Sequence, residues 1–168
     1  MASDRIPIVN EQDEILSYRD RESVVQGDIY RVASLWVTNS KAEVLLARRA
    51  YTKSHDPGKW GPAVAGTVEE DETYESNIVK EAMEELGITG VKFQTGIKYL
   101  RRGEKWSYFV QQYYAVIDKP ATDFVIRAEE VAEVRWFSKE ALTQALEQHP
   151  DEFLKSMRSR LEEYIASI

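Results

Sequence analysis

GTVEEDETYESNIVKEAMEELGI, residues Gly66 to Ile88, is the stretch that organises everything around it. Ile78, Val79, Ala82, Met83 and Leu86 recur at spacings of three and four, which predicts a helix over 73–86 with these side chains on one face. Asp71 or Thr73 supplies the N-cap, and Gly87 stands where a helix closes through a left-handed residue. On a wheel of about 100° per residue, Glu81, Glu84 and Glu85 fall within an arc of roughly 100°. Like charges at these spacings repel by roughly 0.2–0.5 kcal/mol per pair. Taken alone, such a cluster is most simply a solvated acidic face. Its other reading is a seat for a hard divalent cation such as Mg²⁺, which takes carboxylate oxygens and keeps waters or phosphate oxygens as its remaining ligands. Lys80, one turn before Glu84, is placed to orient or partly neutralise that carboxylate.

Upstream the period is that of strands. Residues 6–9 and 15–18 flank the polar turn Asn10-Glu11-Gln12-Asp13 and predict an N-terminal hairpin over about 6–18. Residues 29–37 and 44–49 read as two strands joined by Thr38-Asn39-Ser40-Lys41. Asp56-Pro57-Gly58 marks a turn, and 60–68 is short and extended. Downstream, 91–100 and 106–117 are strands joined by a basic turn, and 131–137 is another. Two helices follow over about 138–167. Ser138 caps the first, and the second starts near Pro150 and buries Phe153, Leu154, Met157, Leu161 and Ile165. With no repeat or linker along its 168 residues, the chain reads as one mixed α/β domain.

Composition narrows the chemistry. A net charge of −7 argues against a nucleic-acid polymer as partner, while a small phosphorylated ligand needs only a few local cations. The chain has no cysteine, which rules out disulfides, thiolate metal sites and cysteine nucleophiles. No apolar run reaches the roughly 20 residues of a membrane helix, so a cytoplasmic protein without a membrane partner is the expectation. Oligomeric state stays open, a homodimer included.

The segment 66–88 resembles the Nudix box, G-x5-E-x7-R-E-U-x-E-E-x-G-U with U apolar. Gly66, Glu72, Glu81, Ala82, Glu84, Glu85, Gly87 and Ile88 match it, and Lys80 stands where the pattern has arginine. Six Gly/Glu matches at fixed spacing would arise by chance on the order of 10⁻⁴ of the time. The resemblance implies the Nudix fold, a mixed sheet sandwiched between helices, and hydrolysis of a diphosphate linkage with Mg²⁺, or Mn²⁺ in its place. It implies Glu81 and Glu85 as the main metal ligands, Glu84 as a further ligand or as the base, and the backbone carbonyl of Ala65 completing the site. Glu72 would pair with Lys80 and brace the helix, although lysine lacks the bidentate fork of arginine.

The stretch LLARRAYTKSHDPGKW, 45–60, resembles the isopentenyl-diphosphate isomerase-like branch of that superfamily. By that match Arg49 and Lys53 would hold diphosphate oxygens, with Arg48 on the opposite strand face; otherwise all three are solubilising charges. The isomerase reaction itself is disfavoured. Ala65 occupies the position of its cysteine, Thr67 that of a metal-binding histidine, and Ser107 and Phe109 fall near its paired glutamates. Hydrolysis of a nucleoside diphosphate derivative or similar compound is the leading expectation. A catalytically silent domain used for ligand sensing or protein binding is the alternative from another class. Glu104 in the basic turn is a further candidate base, Glu129 and Glu130 read as surface charge, and Trp36, Trp60, Trp106 and Trp136 read mostly as core.

Overall fold

The computed structural model describes residues 4–167. Strands β1 (Arg5–Val9) and β2 (Ile15–Asp20) pair antiparallel. The centre of the sheet is β3 (Ile29–Thr38), which lies parallel to β8 (Ser107–Val116) along its whole length. The opposite edge of β3 is shared. Val9 of β1 meets Ile29, β6 (Val64–Thr67) pairs with Val32 to Leu35, and β4 (Val44–Arg49) pairs only with Val37 and Thr38. Strands β3 and β4 therefore splay apart after their hairpin. β5 (Trp60–Pro62) pairs with β4 inside the fork, and β9 (Val131–Phe137) lies on the far edge of β4. β7 (Gln94–Arg102) closes the other side on β8.

Strand alternation sorts the core into two layers. Ala33, Leu35 and Val37 of β3, with Leu45 and Ala47 of β4, pack under α1 (Tyr74–Leu86) against Ile78, Ala82 and Leu86. The residues between them, Trp36, Val44 and Leu46, face α2 (Lys139–Gln148) and α3 (Met157–Ser167) through Leu142, Leu146, Met157 and Leu161. A mixed sheet thus carries helices on both faces. No helix among the described residues is long and apolar enough to cross a membrane.

Three expectations need correction. Val79 and Met83 were assigned to the buried face of α1, yet they are 52% and 51% exposed; Asn77 is fully buried. Because the contact surface is the narrow β3–β6 ridge, α1 buries a narrower stripe than its apolar residues suggest. The last helix begins at Met157, not near Pro150. Pro150 opens a 3-10 turn, after which Phe153 bridges Trp60 and Leu154 N–H donates to the Trp60 carbonyl at 2.9 Å, holding that segment extended. Ile165, expected inside, is exposed.

Candidate active site

The N-cap of α1 is Thr73. Its side chain accepts from Ser76 N–H while Ser76 Oγ accepts from Thr73 N–H, a reciprocal cap that fixes where the helix starts. At the other end Gly87 has φ of +64°, and a Cβ there would lie 2.9 Å from Val125 Cβ. The approach to the helix is just as tight. A Cβ on Gly66 would sit 2.5 Å from Glu81 Cγ and 2.8 Å from Asn77 Oδ1, so only glycine lets β6 pass this close to Glu81.

Glu72 lies in the loop before α1 and reaches back over it. Its carboxylate accepts from the backbone of Glu69 and from Asn77 Nδ2, both at 2.9 Å, and pairs with Lys80 Nζ at 2.6 Å. Burial pushes its pKa up, but the contacts with Lys80, Glu69 and Asn77 outweigh burial and hold the carboxyl below its ordinary range. Lys80 also touches Glu69 at 3.3 Å and Glu81 at 3.7 Å. Although burial works against its charge, these carboxylates keep Lys80 firmly protonated. Asn77 Nδ2 additionally donates to the Thr67 carbonyl at 3.0 Å, tying α1 to β6.

Glu85 comes to one cavity with Ala65 of β6, Arg49 and Arg48 of β4, and Glu130. Burial, then the charges of Glu81 and Glu130, push the Glu85 carboxyl up to about 8, against the pull of Lys53 and Arg49. Glu81 is raised as well, by burial foremost; Lys80 works against this, and Glu84, Glu72 and Glu69 add to it. Glu84 stands apart. Its side chain is 41% exposed and lies 3.9 Å from Arg127. Arg49 Nε donates to the His55 carbonyl at 3.0 Å, and Lys53 Nζ contacts Glu130 at 2.5 Å. Arg48 projects from the other strand face, donates to the Gly58 carbonyl at 2.8 Å and lies over the Trp60 and Tyr51 rings.

Glu130, read from sequence as surface charge, instead lines this cavity, and Glu69, to which the sequence reading gave no role, belongs to the Lys80 cluster. Only the position of Glu69 inside the box hinted at a role. Glu104 makes none of these contacts.

The donor set suits a hard divalent cation. Glu81 and Glu85 are one turn apart, both hold protons more tightly than usual, and the buried Asn77 Oδ1 beside Glu81 has no hydrogen-bond partner among the described residues. No three acidic or imidazole side chains among the described residues chelate an ion by themselves. This is compatible with Mg²⁺, which takes one or two carboxylates and fills its octahedron with water and phosphate oxygens.

The family model described as NUDIX domain matches residues 29–157. The uncharacterized Nudix hydrolase YfcD of Escherichia coli (strain K12) is 28% identical over 153 residues, spanning 90% of this chain and 83% of that protein. An isopentenyl-diphosphate Delta-isomerase of Aliivibrio fischeri (strain MJ11) is 26% identical over 158 residues, covering 88% of this chain and 87% of the isomerase. Among solved structures, DR0079 from Deinococcus radiodurans superposes with a TM-score of 0.81 over 94% of this chain and 97% of its own, at 21% identity.

Proposed function

The chain belongs to the NUDIX domain family, and from that premise we propose that it is a divalent-cation-dependent hydrolase that cleaves the diphosphate linkage of a small phosphorylated compound. The observation that carries this reading is the juxtaposition of Glu85, with its raised proton affinity, and Arg49 at one cavity beside Ala65. A cavity that holds a carboxylate against burial and two neighbouring negative charges is suited to a cation. The guanidinium and the Lys53 ammonium nearby are suited to the anion that accompanies it.

In this proposal Glu81 and Glu85 bind the cation together with the Ala65 carbonyl, and Mg²⁺, with Mn²⁺ as substitute, fits the oxygen donors. When bound, the cation would neutralise the diphosphate and lower the pKa of a coordinated water. Glu85 would release its proton as the cation enters. Arg49 would present its fork to diphosphate oxygens. Lys53 would exchange Glu130 for a phosphate oxygen, leaving Glu130 and Glu84 as the carboxylates free to take a proton from the attacking water. Glu72 and Lys80 would hold Glu81 in place, and the cytoplasm is the compartment we propose.

The isomerase named among the relatives sets a second reading, and the residues oppose it. Ala65 stands at the position of the catalytic cysteine, and the chain contains no cysteine at all. Incubation with Mg²⁺ and a panel of nucleotides, sugar nucleotides, dinucleotides and isoprenoid diphosphates, with product identification, tests both. Diphosphate cleavage is expected. Double-bond migration without cleavage would reverse the assignment.

A further inference from the structure

Lysine at position 80 leaves one arm of the box brace unaccounted for. An arginine there would grip both oxygens of Glu72 through its planar fork, whereas an ammonium is a point charge and takes one. Lys80 Nζ meets Glu72 Oε1 at 2.6 Å. The other oxygen, Oε2, accepts from Asn77 Nδ2 and from the Glu69 backbone N–H, both at 2.9 Å. Asn77 and Lys80 are three residues apart in α1, so their side chains leave the helix as neighbours. Each oxygen of Glu72 therefore has its own side-chain donor from the helix.

Asn77 is fully buried, and its surroundings fix which way the amide faces. Both of its N–H groups are used, one on Glu72 and one on the Thr67 carbonyl at 3.0 Å. Turning the amide over would set its oxygen against two acceptors. The oxygen instead lies beside Gly66, next to Glu81, with no hydrogen-bond partner among the described residues. Burying an unpaired amide oxygen is costly. A hydroxyl would be enough to donate to Thr67 alone, and it would leave no amide oxygen to bury. What asparagine adds is the second N–H, the one on Glu72. With Oε2 held in this way, Lys80 keeps N–H groups for Glu69 at 3.3 Å and for Glu81 at 3.7 Å.

We propose that Asn77 and Lys80 divide between them the fork of the arginine in the pattern, and that Asn77 is a positioning residue: it holds Glu72 so that Lys80 can steady Glu81 at the cation seat. The pattern leaves position 77 unspecified, so nothing in the box announces this role. The proposal rests on the reading of Glu81 as a ligand of the cation.

The test compares the native chain, Asn77→Ala, Lys80→Arg and the double variant. Each is titrated with Mn²⁺ as the probe, free Mn²⁺ being read by electron paramagnetic resonance, and each is melted in chelator. Asn77→Ala is expected to weaken Mn²⁺ binding by about ten-fold, as losing a group that supports a metal ligand does. In the double variant Lys80→Arg restores the fork and should recover most of that loss. In the native background the same change should bring no tighter binding, because Glu72 Oε2 is already taken. Arginine at position 80 cannot replace a tie to β6, so a double variant as weak as Asn77→Ala would overturn the proposal. Tighter binding by Lys80→Arg alone would overturn it too, and this variant, at a partly exposed position, decides the matter even where Asn77→Ala fails to fold. Melting in chelator separates the brace from the reaction. A melting temperature that falls in Asn77→Ala and partly recovers in the double variant, in a protein that cleaves no diphosphate, would keep the brace and defeat the hydrolase reading. Cleavage and Mn²⁺ affinity both untouched by Asn77→Ala would defeat only the brace.

Discussion

The Glu85 carboxyl sits at about 8 where 4.5 is usual, because burial and the charges of Glu81 and Glu130 oppose its ionisation. The folded state therefore holds this proton more tightly than the unfolded chain. Stability from this source is complete below about 4.5 and is lost as the pH rises through about 8. Glu85→Gln should accordingly raise the melting temperature of the metal-free protein at pH 8, by roughly 3–10 °C, and by little at pH 4.5. The same substitution should all but abolish hydrolysis. A melting temperature unchanged at pH 8 would show that the carboxyl is not under this strain. Asp13 presents the opposite case far from the site. Burial raises its pKa, but hydrogen bonds from Lys98 and Arg31 and the Arg31 charge hold it low. Its contribution is present above about 3.8 and disappears as the pH falls through its folded value. Asp13 has φ of +63°, a conformation asparagine tolerates, so Asp13→Asn spares the backbone while it removes the charge and one of the two acceptor oxygens that meet Arg31 and Lys98. A loss of about 1–3 kcal/mol at pH 7 is expected, shrinking towards zero in acid, as melting curves against pH will register.

For α1 the boundaries were legible because they depend on local chemistry. Thr73 caps it with Ser76 as partner, and Gly87 closes it in the left-handed conformation. Thr73→Ala should cost about 1 kcal/mol and lower the melting temperature by roughly 2–4 °C, whereas Asp71→Asn, which keeps a residue that tolerates the φ of +68° there, should cost much less. An equal loss at both positions would contradict the assignment of the cap to Thr73. Other features of the elements could not be read from local sequence. Val79 and Met83 have the right period for the buried face, but the width of the buried stripe depends on what α1 packs against. Pro150 is an acceptable first residue of a helix, yet the pairing of Phe153 and Leu154 with Trp60 holds the following segment extended, and Trp60 lies about ninety residues earlier. Glu130 was read as surface charge for the same reason: nothing in the turn that holds it indicates that Lys53 and Glu85 stand beside it.

Across the whole molecule, β3 and β4 contribute alternate residues to both core layers, so neither layer can lose its packing while the other keeps it. We propose that the chain is one domain and unfolds in a single transition, with tryptophan fluorescence and far-ultraviolet circular dichroism reporting the same midpoint. Separate midpoints would divide the molecule into two units. The box residues were recognisable because they match the family's pattern at fixed spacings along one helix. The cavity lined by Ile6, Arg21, Tyr30, Thr67 and Trp106 was not, since these residues come from separate parts of the chain and meet only in the fold. The most direct measurement is the rate of diphosphate cleavage in chelator-treated protein as Mg²⁺ is added back, with Glu85→Gln alongside. Cleavage should be absent without the cation, rise to saturation with it, and fall at least a hundredfold in the variant. Cleavage at full rate in the chelator, or an undiminished rate in Glu85→Gln, would contradict the assignment of Glu85 to a cation-dependent site.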